Sequence, residues 1–190
     1  MRIAGILPFA RNLLAQALKE GDIAIDCTAG KGNDTITLAK LVGSTGHVYS
    51  FDIQEEAIKQ TAEKVKNERL EERVTLFQQG HEIFEEVVPT LHLPHIKAAI
   101  FNLGYLPGGN KTIVTKPEST LKAIQQLLKC MPKEGLIVLV IYHGHKEGKL
   151  ERDSILNFVT NLDQNEAHVL NYRFINQKND PPFIVAIEKR

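Results

Sequence analysis

A chain of 190 residues is long enough to bury one substantial core and short for two. Its 43% apolar and 24% charged residues are those of an ordinary soluble globular protein, and its 23 basic and 23 acidic side chains cancel, which counts mildly against a polyanion held by bulk charge. Cys27 and Cys130 match neither a metal-ligand spacing nor a secreted disulfide framework, which points to a reducing cytoplasm, and Arg11 and Asn12 interrupt the apolar amino-terminal stretch before a membrane span is complete.

Leu13, Leu14, Ala17 and Leu18 recur at helical spacing and predict a helix from Arg11 to Glu20, stopped by Gly21. Ile23-Ala24-Ile25 suits a parallel strand buried on both faces. The tight turn that follows, Asp26-Cys27-Thr28-Ala29-Gly30-Lys31-Gly32-Asn33-Asp34-Thr35, has two glycines that permit positive φ and close approach of a ligand. Asn33 or Asp34 caps the next helix, which turns Ile36, Leu38, Ala39 and Leu41 inward. Gly43 and Gly46 mark the return to a second strand, His47 to Phe51, which ends at Asp52 and Ile53.

A charged helix with Ala57, Ile58, Ala62 and Val65 inward leads to a third strand, Arg73 to Phe77, and to its tip at Gln79, Gly80 and His81. Glu82 to Leu93 is expected to be a short helix closed by Pro89 or Pro94. The fourth strand, Ile96 to Phe101, precedes a glycine-rich loop from Asn102 to Lys111. Pro117 and Glu118 open a helix that buries Leu121, Ile124, Leu127 and Leu128, and strand five runs from Leu136 to Tyr142. After the loop His143 to Gly148 come a helix from Arg152 to Leu162 and two strands, His168 to Ile175 and Phe183 to Glu188, joined by a short link. Such alternation predicts a Rossmann-like α/β fold in one domain, with right-handed crossovers and helices on both faces. Its seven-stranded sheet is mostly parallel, with the last strand antiparallel.

The first turn selects among cofactors. Lys31 is followed by Gly32, so the Gly-Lys-Ser/Thr of a P-loop is missing, and Thr35 stands where a dinucleotide fingerprint places its third glycine. Asp26 introduces the turn and Asn33-Asp34 close it, which puts carboxylates where a pyrophosphate would sit and favours a cation. S-adenosylmethionine, with an ammonium, a sulfonium and no phosphate, is such a ligand. Asp52 lies 22 residues beyond Gly30, at the tip of the next strand, where an acid accepts ribose hydroxyls.

The turn from Asp26 to Thr35, the stretch Phe101-Asn102-Leu103-Gly104-Tyr105-Leu106-Pro107-Gly108-Gly109-Asn110-Lys111 and Tyr142-His143-Gly144-His145 together resemble a class I S-adenosylmethionine-dependent methyltransferase. More narrowly, they resemble the bacterial family long labelled rRNA methylases and now understood as tRNA methyltransferases. That resemblance implies conversion of 5-aminomethyl-2-thiouridine to its methylamino form at the wobble position of tRNA, hence an anticodon loop as partner. Asn102-Leu103-Gly104-Tyr105 is similar to the Asn/Asp-Pro-Pro-Tyr of amino-methylating enzymes but lacks both prolines.

On this reading Asp26, Thr28, Ala29, Gly30, Gly32, Asn33, Asp34, Asp52, Ile53 and also Asn102 form the cofactor side. Gln79 or His81, with Gly80 between them on the cofactor side, meets the adenine amine, and His81 is also placed to shuttle a proton. Asn102 accepts from the substrate amine, and Tyr105, next to Leu103, stacks on the base or else packs the loop. Gly108 and Gly109 allow close backbone approach, Asn110 and Lys111 reach a phosphate, and Tyr142, His143 and His145 face substrate; two histidines alone make a poor metal site. The stretch from Ile3 to Phe9 suits a homodimer contact. A small-molecule amine, rRNA, or a silent subunit that keeps the pocket are the competing readings, and an amine-orienting Asn102 argues against the last.

Overall fold

Leu136 to Ile141 is apolar at every position and buried at every position, as a strand covered on both faces requires. It is the fifth strand of a computed structural model that describes residues 2–104 and 114–190. In chain order the elements are α1 (Ile6–Ala17), β1 (Ile23–Asp26), α2 (Asn33–Leu41), β2 (His47–Phe51), α3 (Glu55–Asn67), β3 (Val74–Phe77), α4 (Phe84–Val87), β4 (Ile96–Leu103), α5 (Pro117–Cys130), β5 (Leu136–Ile141), α6 (Lys146–Thr160), β6 (Ala167–Tyr172) and β7 (Phe183–Lys189). The strands form one sheet in the order β3-β2-β1-β4-β5-β7-β6. β1 to β5 pair in parallel, and β7 runs antiparallel to both β5 and β6.

Side chains alternate between two apolar layers. Ile23, Ile25, Phe101, Leu139 and Val185 pack with Phe84 of α4, Ile124 and Leu127 of α5 and Ile155 of α6. Ala24, Val48, Ile100, Val138 and Ile184 pack with Leu14 of α1, Leu38 of α2 and Val65 of α3. The period of two along β1 therefore assigns Asp26 to the face of Ala24, beneath α2.

Several boundaries differ from the expectation. α1 starts at Ile6 instead of Arg11 and ends at Ala17 instead of Glu20; Pro8 falls in its first turn, where a missing N–H breaks no helical bond. α6 starts at Lys146 instead of Arg152. Gly148 hid that start, being a poor helix former, yet a Cβ there would sit 2.6 Å from the Tyr142 carbonyl and 2.7 Å from the His145 ring. The expected helix from Glu82 to Leu93 is only a 3-10 turn at His81–Ile83 and the single turn α4, with another 3-10 turn at Leu93–His95. Val88 precedes Pro89 and is extended, which stops the helix there. β4 runs to Leu103, so Asn102 belongs to the sheet, opposite Val140.

Leu14 is fully buried in the layer beneath α1. Leu14→Ala is expected to destabilise the fold by about 2–5 kcal/mol, read as a lower urea midpoint at unchanged m-value; a loss too small to move the midpoint would show that α1 does not close this core.

Candidate active site

From β1 the chain moves outward to β2 and β3, then returns to the other side of β1 as β4. Neighbouring loops therefore diverge above the carboxyl ends of β1 and β4, which is where ligands collect in open α/β sheets. A cleft of about 790 Å³ opens there, of nucleoside size.

Asp26 does not face this cleft, contrary to expectation, and neither does Gly32. Asp26 is fully buried. One carboxylate oxygen accepts the Thr28 N–H at 3.1 Å and the other the Thr35 hydroxyl at 2.7 Å. Thr35 donates its one proton to Asp26, so the Ser50 hydroxyl, 3.1 Å away, donates to Thr35. Burial, with Asp34 as the second cause, raises the Asp26 carboxyl from 3.8 to about 7. Thr35, which replaces the third glycine of a dinucleotide turn, thus holds the acid that shapes this one. Gly32 has φ +74°, and a Cβ there would meet Thr61 at 3.1 Å, so its role is to let the turn close on α3.

Thr28, Ala29, Gly30 and Asn33 do line the cleft, yet several donors of the turn are already engaged. Gly30 N–H donates to Asp52 at 2.9 Å, Ala29 N–H to the Phe51 carbonyl at 2.8 Å and Gly32 N–H to the Ala29 carbonyl at 2.7 Å. A phosphate needs such N–H groups directed at itself. The other Asp52 oxygen accepts the Gln54 N–H at 2.9 Å, which leaves each oxygen one acceptor position for a hydroxyl. Ile53, 57% exposed beside it, is an apolar wall at the cleft.

At the tip of β3, Gln79, Gly80 and His81 also line the cleft. His81 is buried, with Nδ1 at 2.8 Å from the Cys27 carbonyl. A carbonyl only accepts, so Nδ1 carries the proton and Nε2 presents a lone pair; that buried Nε2 has no hydrogen-bond partner among the described residues. Burial lowers the His81 pKa, which keeps the ring neutral. It is an acceptor for a ligand N–H and is ill suited to the proton shuttling expected of it.

Asn102 is held from both sides. Its backbone N–H donates to Thr28 Oγ1 at 2.7 Å, and its Nδ2 donates to Asp34 at 2.8 Å. An ionised carboxylate only accepts, so the amide nitrogen must face Asp34, and the amide oxygen is left as the acceptor. Arg11 Nε lies 3.4 Å from the other Asp34 oxygen.

Leu103, Tyr142, His143 and His145 complete the wall. His143 uses both ring nitrogens internally, at 3.1 Å from the Pro181 carbonyl and 3.3 Å from Arg152, so it braces the wall and does not read substrate. Tyr142 is 37% exposed at the mouth, and burial followed by Asp34 raises its phenol pKa. Tyr105, Gly108, Gly109, Asn110 and Lys111 lie outside the described residues. Among the described residues no group of three or more His, Cys, Asp or Glu is placed to hold a metal.

Sequence reasoning missed Leu7 and Arg11 of α1, which reach the cleft, and Val114 to Lys116 and Ser119 on its far rim. Arg11 stands one turn from Leu7 on a helix whose start was placed too late to show it. No sequence signal marks Thr115.

Residues 48–188 match the family model described as "Putative rRNA methylase". The chain belongs to that family. It is 34% identical over 182 residues to the "tRNA (mnm(5)s(2)U34)-methyltransferase, chloroplastic" of Arabidopsis thaliana, an alignment that covers 92% of this chain and 66% of the relative. The chain thus spans about two thirds of that protein's length. A structure of a "putative rRNA-methylase" from Clostridium thermocellum superposes with TM-score 0.95 at 40% identity over the whole of both chains. A "putative methyltransferase" of Streptococcus mutans in complex with SAH gives TM-score 0.89 at 40% identity over 99% of both.

Family and fold together make the chain a class I S-adenosylmethionine-dependent methyltransferase. The residues present fit that cofactor: four donors of the turn are engaged, Asp52 keeps acceptor positions, and the His81 Nε2 lacks a partner among the described residues.

Asp26 binds its proton more tightly folded than unfolded, so between about pH 4 and pH 7 the native state holds the extra proton and this group lowers stability as pH rises. The stability of wild type minus that of Asp26→Asn should therefore fall from pH 4 to pH 7 in urea titrations; a pH-independent difference would mean that Asp26 ionises normally.

Proposed function

We propose that this protein transfers a methyl group from S-adenosylmethionine to the aminomethyl nitrogen of 5-aminomethyl-2-thiouridine at the wobble position of tRNA. The observation that carries the reading is the Asp34–Asn102 hydrogen bond, which leaves a strand-held amide oxygen to receive an amine N–H. The chloroplast relative, named for that modified nucleoside, supports the substrate class.

The cofactor supplies an electrophilic methyl group on a sulfonium. Asn102 would accept an N–H of the neutral amine and so direct its lone pair into the cleft toward a bound methyl donor, and the proton lost after transfer would pass to solvent water. Asp52 would accept the ribose hydroxyls and His81 Nε2 the adenine amine. Leu103 and Tyr142 would line the amine's side of the cleft.

Of the charged residues lining the cleft, Arg11, Lys31 and Lys116 face Asp34, Asp52, Glu82 and Asp180. That balance is the specific feature favouring a second reading, a small cationic amine as substrate. A cytoplasmic site of action fits either. Among the described residues no helix is long and apolar enough to cross a membrane.

The deciding assay supplies labelled S-adenosylmethionine and tRNA lacking the modification. Label is expected in methylaminomethyl-thiouridine; label only in a small-molecule fraction favours the second reading. Asp52→Ala should weaken cofactor binding measured by calorimetry, whereas Asn102→Ala should bind cofactor normally and transfer about 100-fold more slowly. Equal loss of cofactor affinity in both would refute this division of roles.

A further inference from the structure

Glu151 is the buried acid of α6, 2% exposed, and the methyl-transfer reading leaves it without a task. It sits on the stripe that also buries Gly148, Ile155 and Val159. Burying a carboxylate is costly unless hydrogen bonds compensate it. Here two hydroxyls offset part of that cost, though burial still raises the Glu151 pKa: Thr115 donates to one oxygen at 2.5 Å and Thr120 to the other at 2.7 Å.

The Thr115 bond has a direction. A threonine hydroxyl has one O–H to donate, and it is donated to Glu151, so the Thr115 oxygen turns its lone pairs the other way. There it accepts the Gly104 N–H at 3.1 Å, while the Thr115 N–H donates to the Gly104 carbonyl at 3.1 Å. Gly104 follows Asn102 and Leu103 at the end of β4, and the Leu103 carbonyl accepts the Tyr142 N–H at 3.1 Å. Glu151, Thr115 and Gly104 thus form a chain of bonds from the interior of α6 to the strand end that carries Asn102.

We propose that Thr115, its hydroxyl turned by Glu151, is a positioning residue for methyl transfer: it fixes Gly104, and so the height at which Asn102 presents its amide oxygen to the acceptor amine. This rests on the role given to Asn102 above. Thr120 ties the same carboxylate to α5 and lies outside the cleft, so it separates positioning from plain helix packing.

The test compares Thr115→Val, Thr115→Ser and Thr120→Val, because Glu151→Ala leaves a cavity and two orphaned hydroxyls in the core. Thr115→Val should lower kcat on tRNA by about 10-fold or more with unchanged affinity for S-adenosylhomocysteine, and Thr115→Ser should restore it. Thr120→Val should lower the melting temperature and leave kcat near wild type. Native-state hydrogen exchange at the Gly104 amide is read in parallel, and Thr115→Val should speed it about 10-fold or more. Wild-type kcat in Thr115→Val, or kcat losses in both valine variants that follow their melting temperatures, would overturn the proposal. If wild type itself does not methylate tRNA, the function reading fails, and the Gly104 exchange rate alone decides: unchanged protection in Thr115→Val refutes the positioning role.

Discussion

Asp52 takes the Gly30 N–H, and with that bond the turn after β1 ceases to be a phosphate cradle. A glycine-rich turn between a strand and a helix ordinarily offers its backbone N–H groups to an anion. Here a carboxylate or a carbonyl already occupies four of them: Asp26 at Thr28, Phe51 at Ala29, Asp52 at Gly30 and Ala29 at Gly32. The same bonds join β1 to the tip of β2. The cleft edge is therefore rigid and rich in acceptors, the electrostatics that a sulfonium nucleoside with free ribose hydroxyls requires.

The other half of the site follows from strand length. β4 continues two residues beyond the expected end, so Asn102 is ordered by ladder bonds on β5 and not by a loop. Sites built on strands hold geometry better than sites on loops. Asp34, at the start of α2, then sets the sense of the amide by accepting its nitrogen. The two halves meet at Thr28, whose hydroxyl accepts the Asn102 N–H while its own N–H is bound to Asp26. Cofactor turn and acceptor strand are thereby one connected hydrogen-bonded unit.

Much of this was legible in the residues. The apolar runs of β1, β2, β4 and β5 name a parallel sheet directly, and the 22-residue interval from Gly30 to Asp52 is realised as a hydrogen bond between those two residues. The inward course of Asp26 was also implicit, because Ile23 and Ile25 claim one face of β1 and leave the other to Ala24 and Asp26. What stayed hidden depends on contacts distant in sequence. Gly148 reads as a helix breaker until the Tyr142 carbonyl and the His145 ring are seen against it. His81 reads as a titrating base until burial and the Cys27 carbonyl fix its tautomer. Thr115 and Glu151 are 36 residues apart, and no local pattern announces their pairing.

The claim on which the account stands is that this turn prefers a cationic nucleoside to a phosphorylated one because four of its donors, from Thr28 to Gly32, are already engaged and carboxylates border it. Isothermal titration of the protein with S-adenosylmethionine, S-adenosylhomocysteine and ATP under one set of conditions tests it most directly. Heat of binding for the first two and none for ATP is the predicted result; saturable uptake of ATP with no response to either sulfur nucleoside would contradict it.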